Sequence, residues 1–189
     1  MRRSLIAATT LTALLTACAQ QGGTTNETVS ATVVSTTSTA IKPSSGRPRD
    51  VELDDRLACE LLSADQFPML EIDSEGHTTE IEALKATGCT WTVTGASNIL
   101  APVLHEDIGA WMDGKRIGKG EWVAPVAGFP TITVAIPGSP DRCDLMVGTT
   151  DNQYLAVAFS VSPGFLDRFP TPCDGARQLA EAAMQNLIG

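Results

Sequence analysis

The sequence has few of the residues that catalysis and nucleic-acid binding require. Its 189 residues include only two histidines, and 13 Lys and Arg against 22 Asp and Glu give a formal net charge of −9. So acidic a chain is a poor candidate for nucleic-acid binding, because neutralising phosphates needs clustered Lys and Arg. The catalytic motifs G-x-S-x-G, H-E-x-x-H and G-x-x-x-x-G-K-[ST] are also absent from the sequence. We therefore expect neither an enzyme nor a nucleic-acid partner.

The apolar stretch near the N-terminus is too short to cross a membrane. Arg2 and Arg3 precede a largely apolar run over residues 5–15, whereas a transmembrane helix needs about 20 apolar residues. A basic start, a short apolar run and small residues before a cysteine are typical of an export signal. Residues 1–17 are therefore predicted to be a signal peptide.

The tetrad LTAC, which ends at Cys18, resembles the lipobox of bacterial lipoproteins. This resemblance implies cleavage before Cys18 and thioether lipidation of its thiol, although an ordinary secretory signal with an incidental cysteine is the alternative. The chain has five cysteines, and lipidation of Cys18 leaves an even number for pairing. Several acyl chains on one cysteine would provide stable anchoring. We expect a lipid-anchored protein on the extracytoplasmic face of the cell membrane.

The segment that follows Cys18 has the composition of a linker. Residues 18–50 are rich in Thr and Ser and contain no aromatic residue, so they cannot bury enough apolar surface to offset the entropy of ordering. A flexible chain of about 32 residues has an end-to-end distance of roughly 30 Å. The remaining residues, 51–189, are predicted to form one domain that the linker holds away from the membrane.

Periodicity predicts an α+β fold for residues 51–189. Asp54 and Asp55 precede Leu57, Leu61 and Leu62 at helical spacing, which predicts an N-terminal helix that begins near Asp55. Alternating apolar residues predict an antiparallel sheet of about five or six strands, with an acidic loop before the first strand. Near the C-terminus, Thr171, Pro172 and Asp174 have the spacing of a helix start. The predicted architecture is therefore this sheet packed by an N-terminal and a C-terminal helix, and the predicted strands lie in the segments CTWTVT, NILAPVLHE, EWVAPV, TITVAI, CDLMVG and QYLAVAFSV.

The four cysteines of the domain are predicted to form disulfides, because export places them in an oxidising compartment. Of the three connectivities open to Cys59, Cys89, Cys143 and Cys173, neighbouring order favours Cys59 with Cys89 and Cys143 with Cys173. The four cysteines form no C-x-x-C motif, and the spacing of His77 and His105 from them does not suit zinc. We expect no metal and no other cofactor.

The segments CELL, GCTW, RCDLMVG and PCDGARQLAEAAMQNL, spread over Leu57 to Leu187, resemble a family of actinobacterial cell-envelope lipoproteins that carry a domain of unknown function. The resemblance implies a lipobox-anchored, exported domain and supplies no catalytic residues. The layout is also similar to that of small sheet-and-helix modules of the PsbP type, which is an analogy of fold alone.

Two functions are compatible with these expectations. The first is a non-catalytic binding or scaffold module that contacts another envelope protein. The alternative is a carrier of a small apolar ligand or lipid, which would need an internal apolar cavity of a few hundred Å³. An enzyme is least expected, since pairing of all four cysteines would leave no thiol nucleophile in the domain.

One segment is a candidate contact loop. WMDGKRIGKGEW concentrates three cations between two tryptophans in a chain that is short of positive charge. Aromatic residues and Arg are enriched where interfaces bind most strongly, and the cations suit anionic lipid headgroups or wall polymers. A solvated hairpin loop whose tryptophans turn into the core is the alternative. The candidate residues are Trp111, Lys115, Arg116, Lys119 and Trp122.

Overall fold

The computed structural model describes residues 46–189. The predicted signal peptide, Cys18 and most of the predicted linker lie outside the described residues. Within residues 46–189, none of the helices combines the length and the apolar character that crossing a membrane requires.

The described domain contains one antiparallel sheet of seven strands in the order β1-β2-β3-β7-β6-β5-β4. Together with the C-terminal helix α2, Pro172–Ile188, this sheet confirms the α+β class. The predicted count of five or six strands is too low. Each of the six predicted segments contains a strand, and β1 is additional. The strands are β1, His77–Ile81; β2, Ala86–Val93; β3, Ala96–Val103; β4, Lys119–Val126; β5, Phe129–Ala135; β6, Arg142–Gly148; and β7, Tyr154–Val161.

Strand β1 lies at an edge of the sheet, in a segment that the sequence predicts to be a loop. Its side chains are exposed or half-buried along its whole length. An edge strand with solvent on its outer side needs no apolar alternation, so period-2 analysis does not detect it. The same segment also contains the 3-10 turn Glu82–Leu84.

Helix α2 begins at the predicted cap and covers one face of the sheet. The Thr171 hydroxyl accepts a hydrogen bond from the Asp174 N–H at 3.3 Å, and Pro172 occupies the first turn. Its buried residues pack mainly on β6 and β7. Gly175 permits this approach, because a Cβ atom at that position would lie 2.3 Å from the Phe159 ring. Small residues on the helix therefore bring it close to the sheet.

The predicted N-terminal helix is replaced by two short 3-10 turns, Ala58–Glu60 and Ala64–Gln66. Leu61 and Leu62 are both buried. Adjacent residues of an amphipathic helix point in different directions, so the burial of both leucines does not fit a helix that buries a single face. A capping interaction is present at the second turn, where the Ser63 N–H donates to the Gln66 side chain at 3.0 Å. The Gln66 amide donates in turn to the Ala182 carbonyl of α2 at 3.0 Å.

Two disulfides join these elements, with the connectivity that neighbouring order favours. Cys59 pairs with Cys89 and attaches the first 3-10 turn to β2. Cys143 pairs with Cys173 and attaches β6 to the first turn of α2. Both bonds therefore reinforce the side of the sheet on which α2 lies.

The opposite face of the sheet has a thinner cover. Residues 104–118, between β3 and β4, cross this face and include the one-turn helix α1, Gly109–Met112. A second apolar cluster, separate from that under α2, lies beneath them. Its buried members are Leu84, Ala86, Ala101, Val103, Ile108, Trp111, Ile132, Val134, Met146, Tyr154 and Ala156.

Candidate functional site

Residues 104–118 are held on the sheet by a group of four side chains, which we call the Glu106 clamp: Glu106, Trp111, Arg116 and Tyr154. Two nitrogens of the Arg116 guanidinium, Nε and Nη2, donate hydrogen bonds to the Glu106 carboxylate, and the distance from Nε to Oε2 is 3.3 Å. The Tyr154 hydroxyl donates to Glu106 Oε1 at 3.0 Å, and it accepts from Trp111 Nε1 at 3.1 Å. The Arg116 guanidinium also lies 5.9 Å from the Trp111 ring centroid. Polar and charged contacts therefore fix this segment on the sheet.

The clamp lies largely out of water. The side chains of Glu106 and Arg116 are each 19% exposed, and Tyr154 is completely buried. Burial raises the pKa of the Tyr154 hydroxyl well above its ordinary value, and the neighbouring Glu106 carboxylate acts in the same direction. The hydrogen bond from Trp111 acts in the opposite direction. Tyr154 therefore remains a neutral donor in the folded protein.

An open cleft of about 270 Å³ lies beside this segment. Ile108, Trp122 and Pro130 give it an apolar part, while two carboxylates, a hydroxyl and one guanidinium give it a polar part. Three further depressions are smaller, at about 100, 30 and 30 Å³. The cleft is lined by Arg47, Asp107, Ile108, Gly109, Trp122, Pro130, Gly148, Thr150 and Asp151.

The end of the predicted linker forms one side of the cleft. The Val51 N–H donates to the Thr149 carbonyl at 3.1 Å, and the Leu53 N–H donates to the Gln153 side chain at 2.7 Å. These bonds fix the incoming chain beside the turn between β6 and β7. Arg47, just before them, is thereby placed in the cleft.

Two carboxylates neutralise Arg47. Its Nε donates to Asp50 Oδ1 at 2.5 Å, and its Nη2 donates to Asp151 Oδ1. Hydrogen bonds to Asp50 and then to Asp151 raise the pKa of the Arg47 guanidinium. The cation of the cleft is therefore already paired within the chain.

Asp107 provides a further carboxylate on the other side of the cleft. Its Oδ1 accepts a hydrogen bond from the Gly109 N–H at 2.5 Å, which fixes the orientation of the side chain. No Lys or Arg of residues 46–189 forms an ion pair with Asp107. A rigid carboxylate therefore lines the cleft without a cationic partner from the described domain.

The structure divides the predicted contact loop among three environments. Trp111 and Arg116 belong to the Glu106 clamp, and Trp122 lines the cleft. Lys115 and Lys119 are exposed and pair with carboxylates two residues away, at 3.2 and 2.6 Å. The five residues therefore form no single cationic surface, because Arg116 turns away from solvent and pairs with the largely buried Glu106 carboxylate.

Sequence reasoning missed most of the cleft. Glu106 and Asp107 follow His105 in the sequence and suggest at most a base with carboxylate support, yet Glu106 enters the clamp and Asp107 lines the cleft. Arg47 and Asp151 are 104 residues apart, so no local motif joins them. The turn at residues 149–152, between two clearly predicted strands, is the feature that could have directed attention there.

The arrangement is suited to binding. It offers fixed carboxylates, a tryptophan and an apolar floor, a combination that recognises a ligand by charge and by contact area. Within residues 46–189, no group of three or more His, Cys, Asp and Glu side chains is placed to hold a metal ion.

The fold and site define a disulfide-bonded α+β domain with a preformed cleft at one edge. A family model described as "Protein of unknown function (DUF3558)" matches residues 13–186, nearly the whole chain. The chain therefore belongs to the DUF3558 family. No curated protein and no solved structure matches it significantly, so the PsbP-type layout stays a prediction.

Proposed function

We propose that this chain is an exported lipoprotein of an actinobacterial cell envelope, anchored to the membrane through a lipidated Cys18. Residues 51–189 then act as a non-catalytic binding or scaffold module for another envelope protein. The observation that carries the proposal is the preformed cleft beside the Glu106 clamp, with Trp122 and two carboxylates in its lining.

The size and rigidity of the cleft suit a protruding part of a larger partner. Its volume of about 270 Å³ lies just below the range of about 300–1,000 Å³ that is typical of sites enclosing a whole small molecule. Backbone and side-chain hydrogen bonds fix both of its sides before any ligand arrives, which lowers the entropy cost of binding. A side chain or a short segment of a partner protein is the natural occupant.

The packing under α2 favours a binding module over a carrier of an apolar ligand. Trp91, Leu100, Leu179 and Met184 are almost completely buried between the helix and the sheet. Ala176, Ala180 and Ala183 of α2 are also fully buried, so the small side chains bring the helix close to the sheet. The cleft itself is open and partly charged, whereas a lipid carrier needs an enclosed apolar cavity.

Replacement of the proposed lipidation site tests the anchor. In the native host, Cys18→Ser should move the protein from the membrane fraction to the medium or leave an uncleaved precursor, because Cys18 supplies the thiol for acyl transfer. Thr25→Ala, in the predicted linker, serves as the control and should remain in the membrane fraction. Membrane retention of the Cys18→Ser protein at its mature size would refute lipidation.

Photo-crosslinking in the native host tests the binding module. A photoreactive residue at Asn152, exposed next to the cleft, should give a discrete adduct with an envelope protein. The same residue at Gln185, on the exposed side of α2, should not. Native mass spectrometry of the purified protein separates the alternatives: bound lipid beyond the anchor, without an adduct at Asn152, would favour the carrier.

A further inference from the structure

We infer that the cleft binds a basic side chain, Arg or Lys, of the partner protein, in competition with the chain's own Arg47. This inference rests on the proposed function and names the chemical class that the binding module recognises.

The charge around the cleft favours a cation. Asp107 and Asp151 line it and Asp50 lies next to it, while Arg47 is the one cation in its lining. The described domain has 10 Lys and Arg against 21 Asp and Glu, a net charge of 10 − 21 = −11. Such a field attracts cationic partners and repels anionic ones. An anionic polymer would meet uncompensated carboxylates at this site.

The apolar part of the cleft suits the stem of a basic side chain. Arg and Lys carry their charge on a chain of methylene groups that packs on apolar surfaces. Ile108 and Pro130 provide such a surface, and Trp122 provides an aromatic ring that can attract the cation. Together, the carboxylates and the ring match both ends of a basic side chain.

Arg47 shows that carboxylates at the edge of this cleft already bind a guanidinium. Its side chain is only 21% exposed and donates to Asp50 and to Asp151. Arg47 precedes the backbone hydrogen bonds of Val51 and Leu53 that fix this side of the cleft, so its side chain can release Asp151 while those bonds stay in place. A partner's basic side chain can then pair with Asp107 and compete with Arg47 for Asp151.

Calorimetric titration of the full-length lipoprotein in detergent tests this inference. The probes are the acetylated, amidated peptides Gly-Arg-Gly, Gly-citrulline-Gly and Gly-Glu-Gly; citrulline has nearly the shape of Arg but no charge. The Arg peptide should bind about fivefold more tightly than the citrulline peptide, as expected for a solvent-accessible ion pair. Its affinity should fall as salt is added, and the Glu peptide should not bind.

Two pairs of variants locate the effect. Asp107→Asn should weaken binding of the Arg peptide about fivefold, because the amide keeps an oxygen for the Gly109 N–H but loses the charge. Asp167→Asn, an exposed change outside the cleft, should have no effect. Arg47→Ala should strengthen binding because it removes the competitor, whereas Arg49→Ala, with the same change in charge, should not.

The inference is overturned if the Arg and citrulline peptides bind equally, if no peptide binds, or if Arg47→Ala weakens binding. An unchanged affinity in Asp107→Asn would also overturn it. A crosslinked envelope protein at Asn152 would leave the proposed function standing in each of these cases, so the two failures are distinguishable.

Discussion

The two faces of the sheet are covered in different ways. On one face, a 17-residue helix packs on a large apolar cluster, and two disulfides attach neighbouring elements to the strands. On the other, residues 104–118 contain a single turn of helix and are held by the Glu106 clamp. The first face is secured by a large apolar cluster and covalent bonds, and the second by a smaller apolar cluster together with directional polar contacts.

This difference indicates which face of the sheet can carry a binding site with the smallest loss of stability. The packing under α2 leaves little freedom for sequence change, because any change of side-chain volume in a close-packed interior disturbs the neighbouring side chains. A short segment that crosses the sheet leaves an open margin, and the cleft lies at that margin. The stability of the domain and its proposed binding therefore depend on opposite faces of the same sheet.

Removal of the disulfides should have the largest effect on stability. Each closes a loop of 30 residues, so the chain-entropy model gives a loss of between about 3 and 4 kcal/mol per bond. Thermal and denaturant unfolding measures this loss of stability in two double variants. One combines Cys59→Ala with Cys89→Ala, and the other combines Cys143→Ala with Cys173→Ala. If the second variant left the protection of the α2 amides against hydrogen exchange unchanged, that disulfide would not secure the helix.

Truncation of a buried side chain should cost more under α2 than under residues 104–118. Leu179 and Ile132 are both completely buried, on opposite faces. We expect Leu179→Ala to cost about 3 kcal/mol and Ile132→Ala about 2 kcal/mol, because a short segment can relax into a cavity more readily than a helix. Denaturant unfolding measures both, and equal losses would contradict the proposed difference in rigidity.

Loss of the clamp charge should loosen one face and spare the other. Glu106→Gln leaves the mostly buried Arg116 without its carboxylate, which should cost about 1 to 2 kcal/mol. Hydrogen exchange should accelerate in residues 104–118 and remain slow in α2. Glu121→Gln, which breaks an exposed pair with Lys119, is the matched control and should leave both regions unchanged. Equal acceleration on both faces would show that the clamp is not local.

Alkaline pH should weaken the clamp face through Tyr154. The folded protein holds the pKa of Tyr154 above its ordinary value, so above about pH 10 the unfolded chain binds fewer protons and the free energy of unfolding falls as pH rises. Tyr154→Phe should cost about 1 kcal/mol at neutral pH through lost hydrogen bonds but should lose less stability above pH 10. Tyr154 is the chain's single tyrosine, so phenolate absorbance reports it directly. Parallel pH profiles of the two proteins would contradict this assignment.

The regular elements were accessible from the sequence because their signals are local. Cys89, Trp91 and Val93 alternate with threonines, and the structure buries all three. The Thr171 cap and Pro172 mark the start of α2 within a few residues. In the N-terminal region, however, helical spacing of Leu57 and Leu61 was misleading: Leu57 is 64% exposed and Leu61 is buried. The disulfide of Cys59 and packing on α2 determine that region, and neither is visible in local periodicity.

The candidate site was less accessible because it depends on distant contacts. Trp122 was identified from the sequence, but Arg47, Asp107 and Asp151 come from three separate loops and meet only in the fold. Arg116 was expected in a contact loop, yet it turns towards Glu106, ten residues earlier. Local sequence signals therefore identify the tryptophan of the cleft but not the charged side chains that line the cleft with it.

The placement of the disulfides has a consequence for how an exported chain would oxidise. The loops from Cys59 to Cys89 and from Cys143 to Cys173 follow one another without overlapping or nesting. If the predicted signal peptide starts export and the mature chain then emerges from its N-terminal end, the first pair is complete before Cys143 emerges. Each cysteine then meets its native partner as the next cysteine to appear. Pairing in order of arrival gives the native bonds, so maturation would require an oxidant but little isomerase activity.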